Sequence, residues 1–218
     1  MRTRTLLLVL TGAGLIFFAC RKETSQEGPS NETLCGYAPY YTGSFFSYTA
    51  TTTDGDVSSY TVSVLGDSTV DALKYKVLQT DADGSILLAR CNNGVYTQTA
   101  SEVDVDNYDA EQIVTTNLKD NVRAGSSWVD TISVETPLGD ARLELKYTIT
   151  QKDFDKVVLV ETFKKVIAVR TDASVVIAGL PIDLGTLGTS FYALNVGLIQ
   201  IDTESDTTQI YSYNINKP

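Results

Sequence analysis

The stretch Arg142–Thr150, RLELKYTIT, constrains the fold more than any other. Leu143, Leu145, Tyr147 and Ile149 fall on one face of an extended chain, and Arg142, Glu144, Lys146 and Thr148 on the other. A helix would mix these two sets on every side, so the period of two commits the segment to a half-buried strand. The same alternation groups Tyr60, Val62 and Val64, and again Trp128, Ile132 and Val134. Lys156–Val160, KVVLV, is apolar on both faces and predicts a central strand. Asp54-Gly55, Asp83-Gly84 and Asn93-Gly94 supply hairpin turns between such runs, with Gly66-Asp67 and Gly139-Asp140 as further candidates. Helical periodicity is confined to one short candidate, Tyr108–Asn117. The expectation is an all-β chain of roughly ten or more antiparallel strands.

A faint internal repeat runs through these strands. Gly43–Tyr48 (GSFFSY) is echoed by Gly125–Asp130 (GSSWVD), and YTVS at Tyr60 by YTIT at Tyr147. Lys76–Asp81 (KVLQTD) is echoed by Ile167–Asp172 (IAVRTD), and NNGVY at Asn92 by NVGLI at Asn195. The order is kept, as an internally duplicated unit with loop insertions would keep it. Chance similarity between Thr/Val-rich strands is the alternative.

The amino terminus has a different character. Arg2 and Arg4 precede an uncharged run that ends at Ala19. That run is shorter than the ~20 residues of a spanning helix and is weakened by Gly12 and Gly14. It has the layout of a secretory signal. Phe17–Cys20, FFAC, resembles a bacterial lipobox, with Phe17 where Leu is usual. The resemblance implies cleavage after Ala19 and lipid on Cys20, and several acyl chains suffice for stable anchoring. An ordinary secreted protein or an uncleaved anchor is the alternative. Arg21–Thr33 is polar, contains Gly28-Pro29 and reads as a flexible tether reaching at most ~45 Å. The division is therefore 1–19 signal peptide, 20–33 lipidated cysteine and tether, and 34–218 a single all-β domain.

Charge and composition narrow the function classes. The net charge is −10, with 27 acidic residues against 17 basic ones, two of which lie in the leader. That disfavours nucleic acid and anionic lipid surfaces as partners, because both need a basic patch. No histidine is present, which removes the commonest general base and the commonest metal ligand. No nucleophile elbow, zinc motif, phosphate-binding glycine loop or CxxC pair occurs, so no catalytic residue, metal or cofactor is assigned and the expectation is a non-enzyme. Glu102, Asp104 and Asp106 share one strand face, and a solvated acidic face suits them better than a calcium site.

With Cys20 taken by lipid, Cys35 and Cys91 remain. In an exported chain they invite a disulfide, worth ~4 kcal/mol by chain entropy, with two buried thiols as the alternative. Ala173–Ser190 carries one charge, Asp183, and too many glycines for a regular strand throughout. Its apolar residues, Val175, Ile177, Leu180, Ile182, Leu184 and Leu187 among them, are candidates to line or lid an apolar cavity. An extra hairpin or a plug on the concave face is the alternative. Tyr37, Tyr40 and Tyr41 sit beside Cys35 and suit core filling better than stacking on sugars.

The layout YAPYYTGSFFSYT, YTVSVLGDSTV, LARCNNGVY, AGSSWVDT and YALNVGLIQID resembles a recurring domain of uncharacterised Bacteroidetes lipoproteins. The resemblance covers most of Gly36–Asp202. It implies a strongly curved antiparallel sheet or open barrel and carries over no catalytic residues. Together these observations point to an outer-membrane lipoprotein on the periplasmic face or cell surface. It would be held to the membrane through its N-terminal lipid and act as an interaction module for an envelope protein, glycan or lipid partner. The other reading is a carrier or chaperone for a lipid or other apolar ligand in the concave face of the sheet.

Overall fold

A computed structural model describes residues 35–100, 113–136, 139–177 and 179–217. Twelve strands follow one another: β1 (Phe45–Thr52), β2 (Val57–Val70), β3 (Leu73–Thr80), β4 (Ile86–Asn92), β5 (Val95–Ala100), β6 (Val114–Lys119), β7 (Ser127–Thr136), β8 (Gly139–Val158), β9 (Glu161–Ile177), β10 (Leu180–Ala193), β11 (Gly197–Asp202) and β12 (Asp206–Asn214). No helix occurs among the described residues. The candidate helix Tyr108–Asn117 is corrected where it can be seen: Val114–Asn117 lie in β6, as suits their β-branched side chains. Its earlier part, like Glu102, Asp104, Asp106 and Cys20, lies outside the described residues.

All neighbouring strands are antiparallel and form one sheet in the order β6-β5-β4-β3-β2-β1-β12-β11-β10-β9-β8-β7. The sheet curls into a nearly closed barrel with one unsealed seam, between β6 and β7. Every pairing joins sequence neighbours except that of β1 with β12, where Phe45 meets Asn214 and Thr52 meets Asp206. Inward residues from both halves make the core. Phe46, Val64, Leu78, Val166 and Ile199 pack in one cluster, and Cys91, Tyr96, Leu118, Trp128, Ile149 and Val169 in another.

Because strands alternate in direction, the barrel has two distinct ends. The chain enters at the end that carries the β2–β3, β4–β5, β8–β9 and β10–β11 turns. The segment 35–43 plugs this entry end. Cys35 is bonded to Cys91, with Cα atoms 5.9 Å apart, and Tyr37 and Ala38 are buried. The β8–β9 hairpin also contributes to the core near this end. Register shifts at Ile149/Gln151, Lys152/Phe154 and Phe154/Lys156 bend it, and Val158, Phe163 and Val166 pack among Phe46, Ala193 and Ile199.

The KVVLV segment is therefore no central strand. Val158 is 1% exposed, but Val157 and Leu159 are exposed and Val160 is 101% exposed. The chain reverses at Leu159, whose φ is 53°, and the register pairs Val158 with Glu161. Apolarity on both faces reflected a hairpin tip with one packed face.

The internal repeat is visible in the backbone. Each of the four echoes falls on elements six strands apart. Gly43 before β1 has φ 85° and Gly125 before β7 has φ 86°, a region only glycine enters freely. The Gly43 N–H donates to Val64 O and the Val64 N–H to Ser44 O, both at 2.9 Å. The Gly125 N–H donates to Ile149 O at 2.7 Å and the Ile149 N–H to Ser126 O at 3.0 Å. The ladders shift one echo. Phe46 pairs with Val62 and Trp128 with Tyr147, so Tyr147 corresponds to Val62, two residues beyond Tyr60 on the same face. Thr80 opposite Val62 then matches Thr171 opposite Tyr147.

Two turn assignments also move. Gly66-Asp67 lies inside β2 after a bulge, and the reversal is made by Asp71 and Ala72, both at positive φ. Gly139-Asp140 opens β8 opposite Thr136 and Glu135.

Candidate functional site

The far end of the barrel carries a projection built from four strands. β11 pairs with β10 only from Thr189 onward, so Leu180–Gly188 extend past it as a free edge. β9 and β8 continue beside them to Ile177 and Ala141, and β7 pairs with β8 as far as Thr136. Strand length alone produces this flap: β8, β9 and β10 have 20, 17 and 14 residues, whereas β11 has 6.

One face of the flap is apolar. Ile182 lies opposite Val175, Val175 opposite Leu143, and Leu143 opposite Ile132, which gives an unbroken row across four strands. Leu180, Ile177 and Ala141 make the start of a parallel row. The face continues the barrel interior, because Leu143 shares its side of β8 with the buried Tyr147 and Ile149. Burial fades outward: Val175 and Ile177 are half-buried, while Leu180 is 70% and Ile182 50% exposed. Leu184 and Leu187 sit at register shifts in β10 and are exposed too.

The sequence left Val175, Ile177, Leu180, Ile182, Leu184 and Leu187 either lining or lidding an apolar cavity or forming an extra hairpin. The structure brings them together in the β9–β10 hairpin. Gly185 and Gly188 weaken a regular strand, but two bulges absorb them, and Gly185 has φ 84°. Pro181 and these bulges also blunt the free edge against pairing with another strand.

The opposite face of the flap is polar. An open depression of about 390 Å³ is lined by Lys146, Asp172, Ser174, Asp183 and Thr186 among others. Asp172 accepts hydrogen bonds from Thr186 Oγ1 at 2.7 Å and Arg170 Nε at 3.1 Å. Partial burial opposes its charge, but these donors prevail and hold its carboxyl below the usual range.

Inside the barrel, Tyr37, Tyr40, Arg90, Tyr96, Gln98 and Asn117 border a cavity of only about 60 Å³. Its polar groups answer one another. The Tyr37 N–H donates to the Tyr96 hydroxyl at 3.2 Å, and that hydroxyl donates to Asp120 Oδ2 at 2.5 Å. Asn117 Nδ2 donates to Gln98 Oε1. Burial pushes the phenols of Tyr37 and Tyr40 up to about 12, and burial with the Asp120 hydrogen bond raises Tyr96 further. These groups stay neutral and offer hydrogen bonds. Among the described residues no cluster of three His, Cys, Asp or Glu is placed to hold a metal.

The seam is a feature that sequence reading missed. Trp128 Nε1 donates to Thr116 O at 2.6 Å, and the Thr116 N–H donates to Asp130 Oδ2 at 2.5 Å. Two β7 side chains thus stand in for ladder bonds to β6. Lys119 Nζ lies 5.3 Å over the Trp128 ring. At the entry end Lys152 Nζ donates to the carbonyls of Asp120 and Val122, at 2.6 and 3.0 Å.

No family model matches the chain, and no curated protein matches it. Among solved structures it is similar to a candidate exported protein with a YmcC-like fold from Bacteroides fragilis, at 13% identity and a TM-score of 0.50, over 80% of this chain and 96% of that one. It is also similar to a candidate lipoprotein from Parabacteroides distasonis, at 14% identity and a TM-score of 0.49, over 81% and 97% of the two chains. The likeness to the first is one of fold, a YmcC-like, all-antiparallel barrel.

Proposed function

We propose that the protein is an interaction module of the outer membrane, tethered by lipid on Cys20, that binds an envelope protein or glycan through the apolar face of its flap. The observation that carries this is the row Ile182–Val175–Leu143–Ile132, which runs from half-buried to exposed at Ile182, at the end of the barrel opposite the entry of the chain. Single exposed apolar residues are ordinary on a protein surface, but a contiguous apolar face marks an interaction site. The far end is also the end a tether at Cys35 leaves free. The carrier reading has less support. A carrier needs an apolar cavity of ~300 Å³ or more. The interior cavity is about 60 Å³, and the larger depression is open and lined by charged and hydroxyl groups.

A photo-crosslinking residue at position 182 of the lipidated chain, in its own membranes, tests the proposal. A defined protein or glycan adduct at 182, absent from a probe at the exposed Tyr211 and lost in Leu180→Ser/Leu184→Ser, supports it. Native mass spectrometry of the same chain showing a co-purified lipid that is lost in the same variant would replace it with the carrier.

A further inference from the structure

From the β8–β9 hairpin we infer that the entry end of the barrel rests on the lipid bilayer, with Val157, Leu159 and Val160 dipping into it. The inference rests on the tethering at Cys20 proposed above. The three side chains are exposed, and Val160 is completely so. Their mount is rigid, because Val158 and Phe163 on the other face are 1% and 4% exposed and locked in the core.

The turn itself is chemically odd. Asp83-Gly84 and Asn93-Gly94 make reversals with residues that accept positive φ, and Asp71-Ala72 makes one with both residues there; here a large leucine takes φ 53° beside a β-branched valine. Neither residue favours a water-facing turn. Such strain is kept where a turn does something besides turning.

What covers this tip follows from where the chain leading from Cys20 enters the barrel. Between Cys20 and Cys35 lie 14 residues, a reach of at most ~50 Å. The chain then enters the barrel beside this hairpin, since the Tyr37 hydroxyl donates to Lys165 O at 2.8 Å. Lys165 is five residues from Val160, so the tip and the tether entry share one end and one tether length. Lys164 and Lys165 are exposed beside the tip. Lys164 is paired with Asp155 at 2.6 Å, and the Lys165 ammonium can reach lipid headgroups while the valines and leucine enter the acyl boundary.

The test uses the full lipidated chain in phosphatidylethanolamine/phosphatidylglycerol vesicles, with an environment-sensitive fluorophore on Val160→Cys or, at the far end, on Val57→Cys. The expected result is a blue-shifted emission at 160 that is quenched by nitroxide-labelled lipids, with aqueous emission at 57. Aqueous emission at both positions, or equal quenching at both, overturns the inference. The mass of the same sample reports the acyl chains. A lipidated chain with an aqueous tip rejects the tip contact alone, whereas an unlipidated chain rejects the tethering and the tip contact together.

Discussion

Trp128 Nε1 reaches the carbonyl of Thr116 at 2.6 Å, across the one gap in the barrel wall. The neighbouring Asp130 takes the Thr116 N–H. Edge strands left bare invite pairing with foreign chains, and here the two edges are capped by side chains from one of them. Trp128→Phe removes the donor and keeps most of the stacking on Tyr147, whose ring centroid lies 5.6 Å away. We expect a loss of ~1 kcal/mol in urea unfolding. Asp130→Ala should cost ~1–3 kcal/mol, because it strands a backbone N–H. Hydrogen exchange of the β6 amides should quicken in both. Unchanged exchange would mean that the seam holds without these two side chains.

The paired corners at Gly43 and Gly125 predict a graded response. Both have φ near 85°, which costs an L side chain ~1–2 kcal/mol. A methyl on Gly125 meets open space, whereas one on Gly43 comes within 3.1 Å of Asn216 Nδ2. Gly125→Ala should therefore lose about the dihedral cost alone and Gly43→Ala somewhat more. Urea midpoints for the two variants check the order, and the reverse order would count against the correspondence of the corners.

Exposure separates binding from folding on the flap. Ile182→Ser should leave stability within ~0.5 kcal/mol, because the side chain is half in water already. Ile149→Ala, at 0% exposure on the same inner face, should cost ~2–5 kcal/mol. Thermal unfolding of both variants tests this. A large loss in Ile182→Ser would assign the flap a structural role.

Alkaline pH should unfold the barrel through its buried phenols. Tyr40 ionises at 10.0 when exposed and is pushed by burial to about 12 in the fold. Between those values the folded state holds the extra proton. Its contribution is complete below pH ~10 and is lost as pH rises toward 12. Urea midpoints should fall across that window, and Tyr40→Phe should make the fall shallower. An equal slope in the variant would move the effect to other tyrosines, such as Tyr48, which burial also raises.

Reduction should be costly. The Cys35–Cys91 bond spans 56 residues and holds the entry plug against β4. Its loss is expected to remove ~4 kcal/mol by chain entropy. Comparing oxidised and reduced urea midpoints measures it, and a difference under ~1 kcal/mol would mean that burial of Tyr37 and Ala38 suffices to seat the plug.

Local alternation made the strands legible: Leu143, Leu145, Tyr147 and Ile149 fall on one face of β8, as their spacing requires. The glycine turns at Gly55, Gly84 and Gly94 were legible for the same reason, since φ is a property of the residue. The errors came where strand length or bending mattered. Val157–Val160 is apolar throughout, and no local pattern says that three of these residues leave the core at a tip. For Leu180 and Ile182 the sequence left cavity lining and an extra hairpin both open, because it does not state that β11 stops short. Trp128 was legible as an inward residue, but its bond to Thr116 depends on curvature that brings β6 round to β7.

The ladder between β1 and β12 joins the two extremes of the folded chain, while every other ladder joins sequence neighbours. An assembling chain can build each six-stranded half from short-range pairings at little entropic cost. The outer edge of β1 then waits, bare, until residues near 210 arrive. For a chain delivered amino end first, that interval is the period of greatest risk of misassembly with another copy. The last nine-residue strand therefore sets when the molecule becomes safe from its own kind.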